Sequence, residues 1–157
     1  MALEIERKFL LQSDEWRSLA KSRVLMRQGY LGSGDRSSVR VRTADGQAWL
    51  NLKAKRSGRT RLEYEYPIPP ADADEILHHL CTGPLVEKYR HEAVVGPHVW
   101  EIDEFIGDNA GLIVAEIELD SEDERFDRPA WVGKEVTEDE RYYNFNLAQR
   151  PFSQWRE

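Results

Sequence analysis

Charged residues recur two apart along this chain of 157 residues: Glu4/Glu6, Arg40/Arg42, Lys53/Lys55, Glu63/Glu65, Lys88/Arg90, Glu101/Asp103 and Glu116/Glu118. Their neighbours are mostly apolar, among them Ile5, Val39, Val41, Leu52, Ile102, Ile117 and Leu119. On a β-strand, side chains two apart project from one face. A single pair of this kind is the solvated face of an antiparallel sheet. Seven pairs, of both signs, point instead to a sheet curled so that its charged face lines a cavity. With Lys8 and Arg61 the set holds eight bases and eight acids. Arginine offers phosphate oxygens a planar fork, and lysine a mobile point charge. Carboxylates hold Mg²⁺ or Mn²⁺, which bridge phosphate oxygens. A cavity with both kinds of wall suits a polyanion accompanied by divalent metal, and a triphosphate with its about four negative charges is such an anion.

Elements that could position these residues follow from turn signals and periodicity. Strands are expected at about Leu3–Leu11, Leu25–Leu31, Ser38–Thr43, Ala48–Ala54, Arg61–Ile68, Val86–Val94, His98–Phe105 and Leu112–Leu119, with a short one near Lys134–Val136. Asp45-Gly46 and Ser57-Gly58 are hairpin turns, and Gly32 to Asp35 is a further turn. Ser13 is a candidate cap for a helix from Asp14 to Lys21. A second helix runs from Asp72 to about Cys81 with Ile76, Leu77 and Leu80 as its apolar stripe, and Tyr142–Gln149 forms a short one. The fold class is therefore mainly β (α+β): an eight-stranded antiparallel β-barrel with two or three short helices outside it or at its ends. Closure removes sheet edges and can enclose a ligand cavity. The outward positions are apolar and need cover, from the helices or from a second subunit in a homodimer.

Composition bounds the partners. The net charge of −7 disfavours a general nucleic-acid surface. The single Cys81 fits a reducing, cytoplasmic compartment. No apolar run reaches membrane-spanning length, and Glu4 and Glu6 stand where a signal peptide would be apolar. His78 and His79 read as a solvated helix face, and His91 and His98 show no metal spacing. Trp16, Trp49, Trp100, Trp131 and Trp155 read as packing residues.

Glu4-Ile5-Glu6-Arg7-Lys8 is an E-x-E-x-K motif, and it resembles the signature of the CYTH, or triphosphate tunnel metalloenzyme, family. Gln28-Gly29-Tyr30-Leu31, Val39-Arg40-Val41-Arg42, Leu52-Lys53, Arg61-x-Glu63-x-Glu65, Glu87-Lys88-x-Arg90, Glu101-x-Asp103 and Glu116-x-Glu118 continue the resemblance in the family's order. Gly133 to Thr137 and Arg141-Tyr142-Tyr143-Asn144 are similar to its short bacterial members. The resemblance implies a single CYTH domain over 1–157, a tunnel through the barrel and metal-dependent action on a triphosphate. It implies that Lys8, Arg40, Arg42, Lys53, Lys88 and Arg90 hold the phosphate chain. It makes Glu4, Glu6, Glu116 and Glu118 metal ligands, with Asp103 beside them. Glu63 and Glu65 either orient the bases or bind a second metal. Lys55, Arg61 and Lys134 face either the tunnel or solvent. Tyr30 is either a catalytic partner of Lys8 or an ordinary aromatic of the barrel wall. The activity expected first is hydrolysis of inorganic triphosphate with Mg²⁺ or Mn²⁺. The alternatives are a class IV-type adenylate cyclase and a non-catalytic polyphosphate-binding module.

Overall fold

The computed structural model describes residues 3–34, 36–54 and 59–155, and for Ser33 the backbone only. Lys55, the Ser57-Gly58 turn and Asp35 lie outside the described residues. Nine strands form one antiparallel sheet: β1 (Leu3–Leu11), β2 (Ala20–Ser33), β3 (Ser37–Ala44), β4 (Gln47–Ala54), β5 (Thr60–Pro67), β6 (Thr82–Val95), β7 (His98–Ile106), β8 (Ile113–Glu118) and β9 (Val132–Glu135). The spatial order is β5-β4-β3-β2-β6-β7-β8-β1, and β1 pairs again with β5. The first eight strands thus close into the expected barrel. β9 pairs with the second half of β1, through Phe9–Glu135 and Leu11–Val132, beyond the stretch of β1 that meets β5.

The hairpin signals act as their chemistry dictates. Asp45 and Gly46 both have positive φ, 51° and 74°, and join Ala44 to Gln47 by a two-residue turn. Gly29 is required by close approach. A Cβ there would lie 2.7 Å from Cys81 Sγ and 2.8 Å from a Leu85 methyl carbon, where helix α1 (Pro70–His79) and β6 press on β2.

Three expected boundaries are corrected. The helix Asp14–Lys21 is only a 3₁₀ turn, Glu15–Ser18, with Asp14 at the cap position making no side-chain cap bond, while Ser13 Oγ accepts from the Glu15 N–H at 3.4 Å. Trp16 is fully buried there, and Ala20 and Arg23 join the sheet opposite Ala93 and His91. Strand pairing wins over the helix, because Trp16 is buried in the outer core cluster and Ala20, packed against that cluster, is already in the sheet. β6 begins at Thr82, earlier than expected, because Gly83-Pro84 sit in a register shift against β2 where the missing N–H breaks no ladder bond. Helix α1 starts at Pro70 and ends at His79, and its buried residues are Ala73 and Leu77, whereas Leu80 is exposed.

Polarity is inverted, with charge inside and apolar residues outside. One outer sector packs Phe9, Trp100, Ile102 and Ile117 beneath Trp16, Phe126 and Trp131. Another packs Val41 and Ala48 beneath Ala73 and Leu77 of α1. The outer face of β5 carries Leu62, Tyr64 and Tyr66, all exposed, beside exposed Leu3 of β1. A third cluster, Tyr30, Val86, Phe105, Val114, Tyr142 and Leu147, joins β2, β6, β7 and β8 to the C-terminal segment and helix α2 (Asn144–Gln149). Among the described residues no helix is long and apolar enough to cross a membrane.

Candidate active site

Strand register brings the separate pairs onto one inner surface. Glu6 faces Glu118 and Lys8 faces Glu116 across β1 and β8, and Glu116 in turn faces Glu101 of β7. Arg90 faces Asp103 across β6 and β7. Lys53 faces Glu63, and Asn51 lies between Arg40 and Glu65. A cavity of about 240 Å³ is lined by Glu6, Lys8, Tyr30, Arg40, Arg42, Lys53, Arg61, Arg90 and Glu116. Sequence reasoning assigned all nine to the site. The C-terminal segment adds Glu140, Tyr143, Asn144, Phe145 and Asn146 to the wall, and Ser38 and Ala54 complete it.

Cations crowd the cavity wall. Arg42 Nε donates to Gln28 Oε1 at 3.1 Å. Burial, then Arg40 and Arg90, pull the Arg42 guanidinium down to about 9 from its usual 12.5. Burial, Arg40 and Arg61 likewise lower Lys53. Among the described residues Arg40 Nε is buried with no hydrogen-bond partner. Like charges held this close out of water have one economical solution, an anion between them.

The acids interleave with these bases. Lys53 Nζ lies 2.8 Å from Glu63 and 3.5 Å from Glu4. Arg61 reaches Glu4 at 3.1 Å and Glu6 at 3.4 Å. Burial and Glu4 push the Glu6 carboxyl up, but Lys53, Lys8 and Arg61 outweigh them and hold it at about 2. Glu118 is raised by burial and by the charges of Glu4, Glu101, Glu6 and Glu63. Glu101 is raised by burial first, then by Glu116 and Asp103. Among the described residues no three such side chains stand in metal-binding geometry. The donor set nevertheless fits a hard divalent ion: all oxygen, and at Glu118 repelled by its own neighbours.

Among the described residues, seven expected ones are absent from this lining: Glu4 and Glu63 sit on Lys53, Glu118 is exposed and lines a separate surface pocket with Glu101, and four others occupy other places. Lys88 is fully buried and does not line the cavity; its ammonium lies 2.7 Å from Asp103 Oδ2 and donates to Asn144 Oδ1 at 3.2 Å. Asp103 is 1% exposed and takes a fork from Arg90 at 2.8 and 2.9 Å. Despite burial, Arg90 and Lys88 hold its carboxyl well below the usual carboxylate range. Glu65 accepts from Asn51 Nδ2 at 2.8 Å. Lys134 is exposed, away from the lining residues, and its charge acts on Asp139. Tyr30 lines the cavity and is edge-on to Phe145, and Gln28 Nε2 donates to its hydroxyl at 3.4 Å. Among the described residues the aromatic ring at Lys8 is that of Tyr143, 5.8 Å from Nζ, and Lys8 Nζ also donates to the Tyr142 carbonyl at 3.1 Å.

Tyr143, Asn144, Phe145 and Asn146 were not singled out from the sequence as site residues. Their signal is the run Tyr-Tyr-Asn-Phe-Asn, which mixes aromatics with amides at the start of a helix too short to need them for its own packing.

The chain matches the CYTH domain family over residues 2–152. It is 46% identical over 157 residues to an inorganic triphosphatase of Acetivibrio thermocellus, covering 100% of both chains. It is 38% identical over 149 residues to an inorganic triphosphatase of Nitrosomonas europaea, covering 92% of this chain and 96% of that one. The crystal structure of the inorganic triphosphatase NE1496 superposes with a TM-score of 0.66 at 34% identity, covering 94% of this chain and 95% of the other.

Proposed function

We propose, for a chain that belongs to the CYTH domain family, hydrolysis of inorganic triphosphate inside the barrel as its activity. The observation that carries this reading is the convergence of Arg40, Arg42, Lys53, Arg61 and Arg90 on one cavity, with Arg42 destabilised by burial and by its fellow cations. The relatives named inorganic triphosphatase support the same substrate.

In this reading the five bases hold the phosphate chain and neutralise charge that grows on the leaving oxygen as the P–O–P bond breaks. Lys8, between Glu116 and the Tyr142 carbonyl, binds the terminal phosphate from the C-terminal side. Tyr30, bonded to Gln28, orients that end of the chain. Glu4, Glu6, Glu116 and Glu118 would hold Mg²⁺ or Mn²⁺, with Glu63 and Glu65 steering Lys53 and Asn51. Such an ion screens the anion and acidifies a bound water. Arg61 and Lys53 pair with Glu4 and Glu6, and a metal held by those carboxylates would take over that neutralisation and leave both bases to the phosphate. The protein acts as one CYTH domain and as a homodimer, in the cytoplasm.

Orthophosphate release from tripolyphosphate, from ATP and from a chelator-treated control tests the reading. Tripolyphosphate should give the higher kcat/KM, and chelation should abolish turnover. Cyclic AMP as the main product from ATP, or binding of tripolyphosphate without turnover under either metal, would replace it.

A further inference from the structure

Lys88 carries one of the seven charged pairs, yet its side chain is wholly buried and touches no cavity space. Its ammonium donates to Asn144 Oδ1 and sits against Asp103. An ammonium beside a carboxylate has only donors to offer, so the Asn144 carboxamide must turn its oxygen toward Lys88. The amide nitrogen then points the other way. Asn144 lines the cavity, and among the described residues Nδ2 makes no hydrogen bond, nor is it buried without a partner. Two donor hydrogens are therefore left unspent at the cavity wall supplied by the C-terminal segment. On that wall Tyr143 gives its hydroxyl hydrogen to the Thr137 carbonyl and Asn146 Nδ2 donates to the Glu140 carbonyl.

We propose that Asn144 Nδ2 donates to a phosphate oxygen of the bound chain, and that Lys88, anchored by Asp103, is the positioning residue that orients it without touching substrate. This rests on the triphosphate reading above. It changes what the buried lysine does. Its charge is neutralised by Asp103 and its geometry is spent on an amide, so discrimination at this end comes from a neutral donor. A neutral donor suits a phosphate oxygen without adding to the repulsion among Arg40, Arg42 and Arg90.

The test is a double-mutant cycle on kcat/KM for tripolyphosphate with Lys88→Met, Asn144→Ala and the pair together. Loss of one hydrogen bond to a charged oxygen should lower kcat/KM about 10- to 100-fold in Asn144→Ala. The double variant should be no worse than that single one, because Lys88 acts only through the amide. Losses that multiply would show direct contact between Lys88 and phosphate and overturn the proposal. Asn144→Asp covers the case in which Lys88→Met fails to fold. It keeps the acceptor for Lys88 but faces phosphate with an oxygen, so kcat/KM should fall below that of Asn144→Ala while Tm holds. Parental activity in Asn144→Asp overturns the donor role. The ¹⁵N side-chain amide resonance of Asn144, followed as metal-free tripolyphosphate is added, reads the contact without turnover. A shift supports it and an unmoved resonance refutes it, whether or not the parent hydrolyses the compound.

Discussion

At the scale of single residues, the site trades stability for binding. Arg42 is held at about 9 by burial, Arg40 and Arg90. A base with a depressed folded pKa binds its proton more tightly when unfolded. Its charge therefore costs the folded state below about pH 9, and that cost fades as pH rises from there toward 12.5. Arg42→Met should raise the Tm of the ligand-free protein, by about 2–4 °C for each kcal/mol recovered. The same change should lower kcat/KM for tripolyphosphate by roughly 1.5–3 kcal/mol of transition-state binding. Tripolyphosphate should also raise the Tm of the parent more than that of the variant. Differential scanning fluorimetry with and without tripolyphosphate checks all three signs. A lower Tm in the free variant would mean that the Gln28 bond outweighs the repulsion.

At the scale of elements, paired strands fix the charged groups. Asp103 on β7 takes two cations from β6, Arg90 opposite and Lys88. Asp103→Asn would leave both bases buried without a full countercharge. It should cost about 3–5 kcal/mol, the range for breaking a buried pair, and should unseat Arg90 from the cavity wall. Urea denaturation gives the first number and tripolyphosphate affinity the second; a change in metal dependence alone, with stability intact, would make Asp103 a metal ligand instead. β9 is clamped to β1 by Arg7, whose fork on Glu135 spans 2.9 and 2.6 Å. The Arg7 bond holds the Glu135 carboxyl below its usual 4.5. A depressed carboxyl stabilises fully above 4.5 and loses that contribution as pH falls below it. Glu135→Gln should flatten the acid limb of stability against pH, with the urea midpoint at each pH as the readout. The strands and their inward pairs were legible because a period of two needs only local reading, and the Asp45-Gly46 turn announces its hairpin. What was not legible depends on contacts far apart in sequence. Burial of Lys88 is set by Asp103, and the first expected helix, Asp14–Lys21, was overruled by pairing with β6. The amide wall at Asn144 depends on where the C-terminal segment folds back, which periodicity does not encode.

At the scale of the whole molecule, inverted polarity makes the outside of the barrel the place where apolar surface must be hidden. Two sectors are hidden within the chain. Trp16, Phe126 and Trp131 close over β1, β7 and β8, and α1 closes over β3 and β4. Among the described residues the β5 sector has no such cover: Leu62, Tyr64 and Tyr66 repeat along its outer face at 45%, 45% and 51% exposure, with Leu3 at 47% across the β1–β5 pairing. Contiguous apolar side chains of this size are common at interfaces between copies, where tyrosine and leucine pack against their own symmetry mates. The expectation of a homodimer thereby narrows to one face. Light scattering at micromolar concentration should give twice the chain mass, and Leu62→Glu with Tyr64→Lys should give the chain mass. These side chains point away from the cavity, so the substituted monomer should keep its fold and its arginine cluster. Two results would remove the interface: a parent that is monomeric at the same concentration, or a dimer that survives both charges on β5.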